Sequence, residues 1–230
     1  MTDMRKTYGV CENDSFIVGF NGATIYVYDK GGKELAKFKD APYCYRGCFR
    51  TGTNILAAKS TAGYLCFYDL DRLTLIKRVT VTTLGAQDEG FAFSPDGGYF
   101  INIEKPKVSY RTQIGVYETE TFTRVRDYFS GDRKMVLDHI EYDNGEWYLL
   151  GFMRSDTEGA GYAYGFVGVW DFESGRLTAM KRMDVRRCEA LCWQKDWEEH
   201  GFSEKFRETH STLKYAKPER VSLTELFAML

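Results

Sequence analysis

Apolar residues in this chain arrive in short, strand-length runs, each closed by Gly, Asp, Asn or Ser, and the runs are rich in Val, Ile, Phe and Tyr. That is the composition of β-strands joined by turns. The stretch from Glu89 to Phe129 shows one nearly complete unit. Gly90-Phe91-Ala92-Phe93 leads through the turn Ser94-Pro95-Asp96-Gly97-Gly98 into Tyr99-Phe100-Ile101-Asn102-Ile103. Ile114-Gly115-Val116-Tyr117-Glu118 and Arg124 to Phe129 follow. The pattern predicts a four-stranded antiparallel meander.

The same unit recurs. Its landmark is a third strand ending in an aromatic and an acid: Ile25 to Asp29, Leu65 to Asp69, Ile114 to Glu118, and Val167 to Asp171. A short polar turn and a fourth strand follow each, at Glu34 to Phe38, Leu75 to Val79, Arg124 to Phe129 and Leu177 to Met183. The landmarks lie roughly 40 to 53 residues apart, close to the period of propeller blades. Four units are therefore expected, at about 6–40, 44–82, 89–130 and 136–184.

Phe93-Ser94-Pro95-Asp96-Gly97 resembles the turn between the first two strands of a blade in WD40-type β-propellers, and Trp170-Asp171 reproduces the pair that names them. Over about four fifths of the chain the pattern is similar to that of a divergent WD40-like propeller. It departs from it in having no Gly-His dipeptide before any unit and one Trp-Asp pair. A sandwich or plain barrel would also give short strands at regular spacing, but the matching third strands favour the propeller.

Beyond Asp184 the pattern decays. Cys188-Glu189-Ala190-Leu191-Cys192-Trp193 reads as the first strand of a fifth unit, and 188–230 as an irregular fifth blade or a C-terminal extension. Ser222-Leu223-Thr224-Glu225 is a capping box, with Val221 and Leu226 spaced for a hydrophobic staple, so a short helix is expected over 223–230. It is too short to be stable alone and must dock, on its own chain or on a second copy. Four blades are the lower limit of closed rings. Closure is therefore expected from the irregular fifth unit, from homodimerisation through the C-terminal segment or an open blade edge, or from another protein.

The formal net charge of −2 and pI near 6.0 give no electrostatic reason for a nucleic-acid partner. No run approaches the roughly 18 apolar residues of a membrane span, and the start of the chain lacks the apolar core of a signal peptide. A cytoplasmic protein is expected, with Cys11, Cys44, Cys48, Cys66, Cys188 and Cys192 reduced. Cys44/Cys48 and Cys188/Cys192 share a spacing that, on a strand, would hold the two thiols roughly 13 Å apart, too far to share an ion. Only a helix or loop would bring them together, and no metal or other cofactor is expected. His139 falls in a strand-like run, where a core or edge role is the default; His200 and His210 sit in the polar tail. The chain has no Gly-x-Ser-x-Gly elbow, no Walker A loop and no dinucleotide fingerprint.

The resemblance implies that partners bind the loops between second and third strands and between blades. Those loops collect Tyr43, Tyr110, Arg111, Arg133, Lys134, Arg154, Tyr162, Tyr164, Arg186 and Arg187, among acids of opposite sign. Tyr and Arg are the types enriched at interface hot spots. A solvated loop surface is the plain alternative. The sequence is thus read as a non-catalytic protein-interaction scaffold whose partner is a protein. The alternatives are a small inhibitor or immunity-type protein and, third, a propeller hydrolase or lyase.

Overall fold

The computed structural model describes residues 7, 9–82, 89–106, 112–157, 161–200 and 221–230, with the side chains of 193, 194 and 196–200 outside the description. Among these residues the strands form four antiparallel sheets of four, each in simple chain order. The first sheet contains β1 (Gly9–Glu12), β2 (Phe16–Phe20), β3 (Ile25–Asp29) and β4 (Glu34–Phe38). β5 (Cys44–Phe49), β6 (Ile55–Ser60), β7 (Tyr64–Asp69) and β8 (Thr74–Thr80) make the second. The third is built from β9 (Phe91–Phe93), β10 (Tyr99–Glu104), β11 (Gln113–Glu118) and β12 (Thr123–Tyr128). β13 (Met135–Asp143), β14 (Glu146–Arg154), β15 (Tyr162–Asp171) and β16 (Arg176–Met183) make the fourth, followed by helices α1 (Val185–His200) and α2 (Leu223–Met229). The result is a propeller-like, mostly β fold.

The recurring aromatic and acid now have a physical reason. In every sheet the pairing of third with fourth strand slips by one residue at the aromatic: Val27/Tyr28, Phe67/Tyr68, Val116/Tyr117 and Val169/Trp170. Such a bulge bends the strand and turns a side chain inward, and Tyr28, Tyr68, Tyr117 and Trp170 are all buried. The acid then caps the turn. Asp29 accepts the Lys33 amide at 2.9 Å, Asp69 that of Arg72 at 3.1 Å, and Asp171 that of Ser174 at 2.6 Å. Glu118 accepts the amides of Glu120 and Thr121 at 3.1 and 3.2 Å. Hydrogen bonds from Thr121 and Ser174 hold Glu118 and Asp171 below their ordinary carboxylate values.

Two compact units divide the chain, one holding β1 to β8, the other β9 to β16, α2 and α1 as far as Asp196. Within the first, Val18, Phe20, Ile25 and Val27 pack against Leu56, Ala58, Cys66 and Tyr68. Within the second, Ile101, Ile103, Ile114 and Val116 of the third sheet meet Leu137, Leu149, Phe166 and Trp170 of the fourth. The fourth sheet's other face carries Val136, Tyr148, Leu150, Phe152 and Val167, and these are covered by Cys188 and Cys192 of α1 and Leu223 and Leu226 of α2.

The expected strand over Cys188–Trp193 is a helix instead. Asp184 accepts the amides of Arg186 and Arg187 at 2.9 and 3.4 Å as an N-cap, and the sequence after it is rich in good helix formers, Arg, Glu, Ala, Leu and Lys. Cys188, Cys192 and Lys195 fall one turn apart on the buried face, while Arg186, Arg187, Glu189 and Ala190 are exposed. The second helix forms where the capping box predicts it. Ser222 and Glu225 exchange side-chain-to-amide bonds at 3.1 and 3.0 Å, and α2 docks on its own chain through Leu223 and Leu226. Glu141 of β13 ties both helices down: it pairs with Lys195 at 2.9 Å and accepts the Leu223 amide at 3.3 Å.

The close approach of α1 depends on Gly165 of β15, where an added Cβ would stand 2.2 Å from the Cys188 Cβ. Gly165→Ala is expected to cost roughly 1–3 kcal/mol, read as a lowered urea midpoint. Gly131→Ala, where an added Cβ meets nothing within 4 Å, should stay within about 0.5 kcal/mol of wild type. Equal effects at the two positions would disprove the packing argument.

Candidate functional site

Two arrangements in the second unit bring chemistry-bearing side chains together. The first is one end of the fourth sheet. Met135 pairs with Met153, Met153 with Tyr164, and Gly165 with Met183. That register places Arg133 and Lys134 before β13, Arg154 at the end of β14, Tyr162 and Tyr164 at the start of β15, and Arg186 and Arg187 just after β16. The Arg154 amide donates to the Lys134 carbonyl at 2.8 Å, which joins two of these segments directly.

The sequence placed all of them on loops, and the structure corrects this for Arg154, Tyr162, Tyr164, Arg186 and Arg187. Tyr162 and Tyr164 belong to β15, because aromatic stacking extends the hairpin: the Tyr162 ring lies 4.5 Å from that of Phe152. The Arg182 guanidinium covers Tyr164 at 4.3 Å. This last contact repeats elsewhere, with Lys37 over Tyr26 and Arg78 over Tyr64, and it shields the fourth strand's neighbour in each case. Arg186 and Arg187 occupy the first turn of α1. Arg133, Lys134, Arg186 and Arg187 are exposed. Of the acids here, Asp132 is engaged by the amides of Lys134 and Met135, Asp184 caps α1, and Asp156 pairs with Lys134. Tyr43, 61% exposed with a left-handed backbone at φ 55°, belongs to the first unit. Tyr110 and Arg111 lie outside the described residues.

The second arrangement is buried, between β13 and α1. The pairing of β13 with β14 slips between Leu137 and His139, so Asp138 is an inserted residue. Leu137 and Ile140 face the third sheet, whereas Val136 faces the helices. The bulge therefore turns His139 onto the helix side, next to Asp138 rather than opposite it. His139 Nδ1 stands 2.5 Å from Asp138 Oδ1, and the ring is 1% exposed. From α1, Cys192 approaches both. Donor atoms of Asp138, His139 and Cys192 all lie within 4.8 Å of one another. Cys188, one turn earlier, is in hydrogen-bond contact with Cys192 and donates to the Gly151 carbonyl at 3.2 Å.

A Cys, a His and an Asp together raise the prospect of nucleophilic catalysis, which requires a thiolate. The electrostatics oppose it. The hydrogen bond with Cys188, burial and the Asp138 carboxylate all push the Cys192 thiol far above its usual value. Sequence reading missed this cluster because its members are 50 residues apart and because the strand assignment separated the two cysteines. The signal present was the spacing of Cys188, Cys192 and Lys195 behind an Asp cap, a one-faced helical pattern.

In the acidic pairs Asp69/Asp71 and Glu118/Glu120, Asp69 and Glu118 cap turns, and Asp71 accepts from the Asn54 side chain at 2.7 Å. A further buried carboxylate, Glu104, is internally satisfied: Asn102 donates at 3.0 Å, Gln113 at 3.0 Å and Tyr117 at 3.2 Å, and Arg124 pairs at 2.5 Å. It braces the third sheet across β10, β11 and β12.

No family model matches the chain, and no curated protein matches its sequence. Among solved structures it is similar to the hydrazine synthase of Kuenenia stuttgartiensis, at 18% identity and a TM-score of 0.61. The alignment covers 80% of this chain and 51% of that one, so the chain spans about half the length of the protein it matches. At this identity the likeness shows the propeller-like fold alone.

Burial also pushes the Cys66 thiol up, to about 11. Both Cys66 and Cys192 therefore keep their protons in the folded chain where an unfolded thiol, with pKa about 8.5, has lost its own. A raised folded pKa gives stability that is present below the unfolded value and lost as pH rises. In chelator-containing buffer the urea midpoint is expected to fall between about pH 8 and 10, and less steeply in Cys192→Ala. An unchanged slope in that variant would contradict the buried, protonated thiol.

Proposed function

We propose that the chain is a non-catalytic interaction module, a divergent WD40-like propeller, that receives an acidic segment of a partner protein at the basic end of its fourth sheet. The observation that carries this reading is the convergence of Arg133, Lys134, Arg154, Arg186 and Arg187 at one end of one sheet by strand register. Among the described residues, the nearby acids Asp132 and Asp184 have their carboxylates turned to backbone amides. Guanidinium groups suit carboxylate partners because they offer paired donors in a fixed plane. Tyr162, half-buried on Phe152, adds a rigid aromatic floor.

The WD40-like assignment is supported by the repeated four-strand unit, the Phe-Ser-Pro-Asp-Gly turn and Trp170-Asp171. In that turn Ser94 donates to Asp96 at 2.5 Å and accepts the Tyr99 amide at 2.8 Å, while Asp96 accepts the Gly98 amide at 2.9 Å. The non-catalytic part is supported by the raised Cys192 thiol and by the structural employment of the turn acids and Glu104.

Capture of the tagged chain from its source cells should recover a stoichiometric protein whose retention weakens with salt, since exposed charge pairs are screened. Arg133→Glu with Arg186→Glu, two exposed positions, should reduce recovery by at least about 10-fold with no change in thermal midpoint, as rim-charge reversal does at electrostatic interfaces. Undiminished recovery by the double variant, or no stoichiometric partner at all, would overturn the proposal.

A further inference from the structure

We propose that Asp138, His139, Cys188 and Cys192 form a zinc-binding site that fastens α1 to β13. The donor set is the first argument. Two sulfurs, an imidazole and a carboxylate make up a mixed set of the kind that borderline-soft, tetrahedral zinc takes, whereas calcium and magnesium require oxygen ligands throughout.

Geometry is the second argument. In a tetrahedral site with Zn–S near 2.3 Å and Zn–N near 2.0 Å, donor atoms stand roughly 3.3–3.8 Å apart. Asp138, His139 and Cys192 already bring theirs within 4.8 Å. To reach that spacing the Asp138–His139 pair, at 2.5 Å, has to open, and any donor pair at the 4.8 Å limit has to close by about 1 Å. Cys188 precedes Cys192 by one helical turn on the same buried face; it stands outside the group of three, with its thiol on the Gly151 carbonyl at 3.2 Å, and would enter as fourth ligand by giving up that bond. Both pairs are local in sequence, one held by the β-bulge at Asp138 and one by the helix, and the docking of α1 joins them.

Burial is the third argument. His139 is 1%, Cys188 0% and Cys192 7% exposed, and Asp138 keeps about a third of its side-chain surface. An ion would neutralise the carboxylate in this site and fasten a helix that is otherwise held by packing and the Lys195–Glu141 pair. Binding requires both thiols to lose their protons, which pass to solvent as the two Zn–S bonds form. A role in bracing the fold follows from the place of the site: a four-ligand closed site is structural, with no position left open for a substrate.

The test uses the full chain, expressed in zinc-supplemented medium and purified without chelator. Elemental analysis should find about one zinc ion per chain. After removal of metal, titration with cobalt(II) should give thiolate-to-cobalt charge-transfer absorption and tetrahedral d–d bands, displaced by zinc. Cys192→Ser and His139→Asn should each weaken zinc affinity by more than about 10-fold, while Cys11→Ser, in the first sheet, should leave it unchanged. Should the variants fail to fold, the wild-type chain alone decides: metal removal is expected to lower its thermal midpoint, and zinc alone to restore it. A folded wild-type chain with no bound zinc and no thiolate–cobalt absorption would overturn the proposal. So would full zinc binding by a folded Cys192→Ser chain, because the ion would then lie elsewhere.

Discussion

A sheet that is apolar on both faces must have both faces covered, and this constraint organises the protein. Most residues of the two central strands of each sheet are buried, whereas the fourth strand is mostly exposed or half-buried. That outer strand carries the Lys and Arg that keep an open edge from pairing with another chain. The first two sheets share one core, and the third and fourth share another. For the fourth sheet's remaining face, two helices take the place that a further sheet would occupy.

Covering a sheet with a helix has chemical consequences that covering it with another sheet would not. A helix offers residues one turn apart on a single face, so Cys188 and Cys192 come in together, and a glycine at 165 lets the helix backbone approach. The β-bulge at Asp138 supplies the complementary pair from below. The same helix start that buries the cysteines leaves Arg186 and Arg187 in solvent, at the end of the sheet that also carries Arg133 and Lys134. A buried donor cluster and an exposed basic end are thus two sides of one docking event, held at the helix start by the Asp184 cap and further along by the Glu141–Lys195 pair.

Much of the acidic surface belongs to architecture. Asp29, Asp69, Glu118 and Asp171 each close the turn between third and fourth strands, and the aromatic before each is turned inward by a slip in register. Glu104 spends its carboxylate on four partners within its own sheet. At the basic end of the fourth sheet Asp132 and Asp184 are engaged by backbone amides in the same way, which supports the acidic partner proposed above.

The sequence by itself determined the four meanders, their turns and the capped terminal helix. Those signals are local: alternation over a few residues, turn residues that tolerate special backbone angles, and a capping box of four residues. It assigned Arg133, Lys134, Arg154, Tyr162, Tyr164, Arg186 and Arg187 to loops of one face; the strand register sets their segments at one end of the fourth sheet, with Tyr162 and Tyr164 inside β15. Only the tertiary structure decided that Cys188 to Trp193 is helical, because a short mixed run suits either state until something exists for it to cover. It alone decided that His139 faces that helix. A single inserted residue reverses the side on which every later side chain of a strand emerges, and nothing in the run Leu137-Asp138-His139-Ile140 announces the insertion.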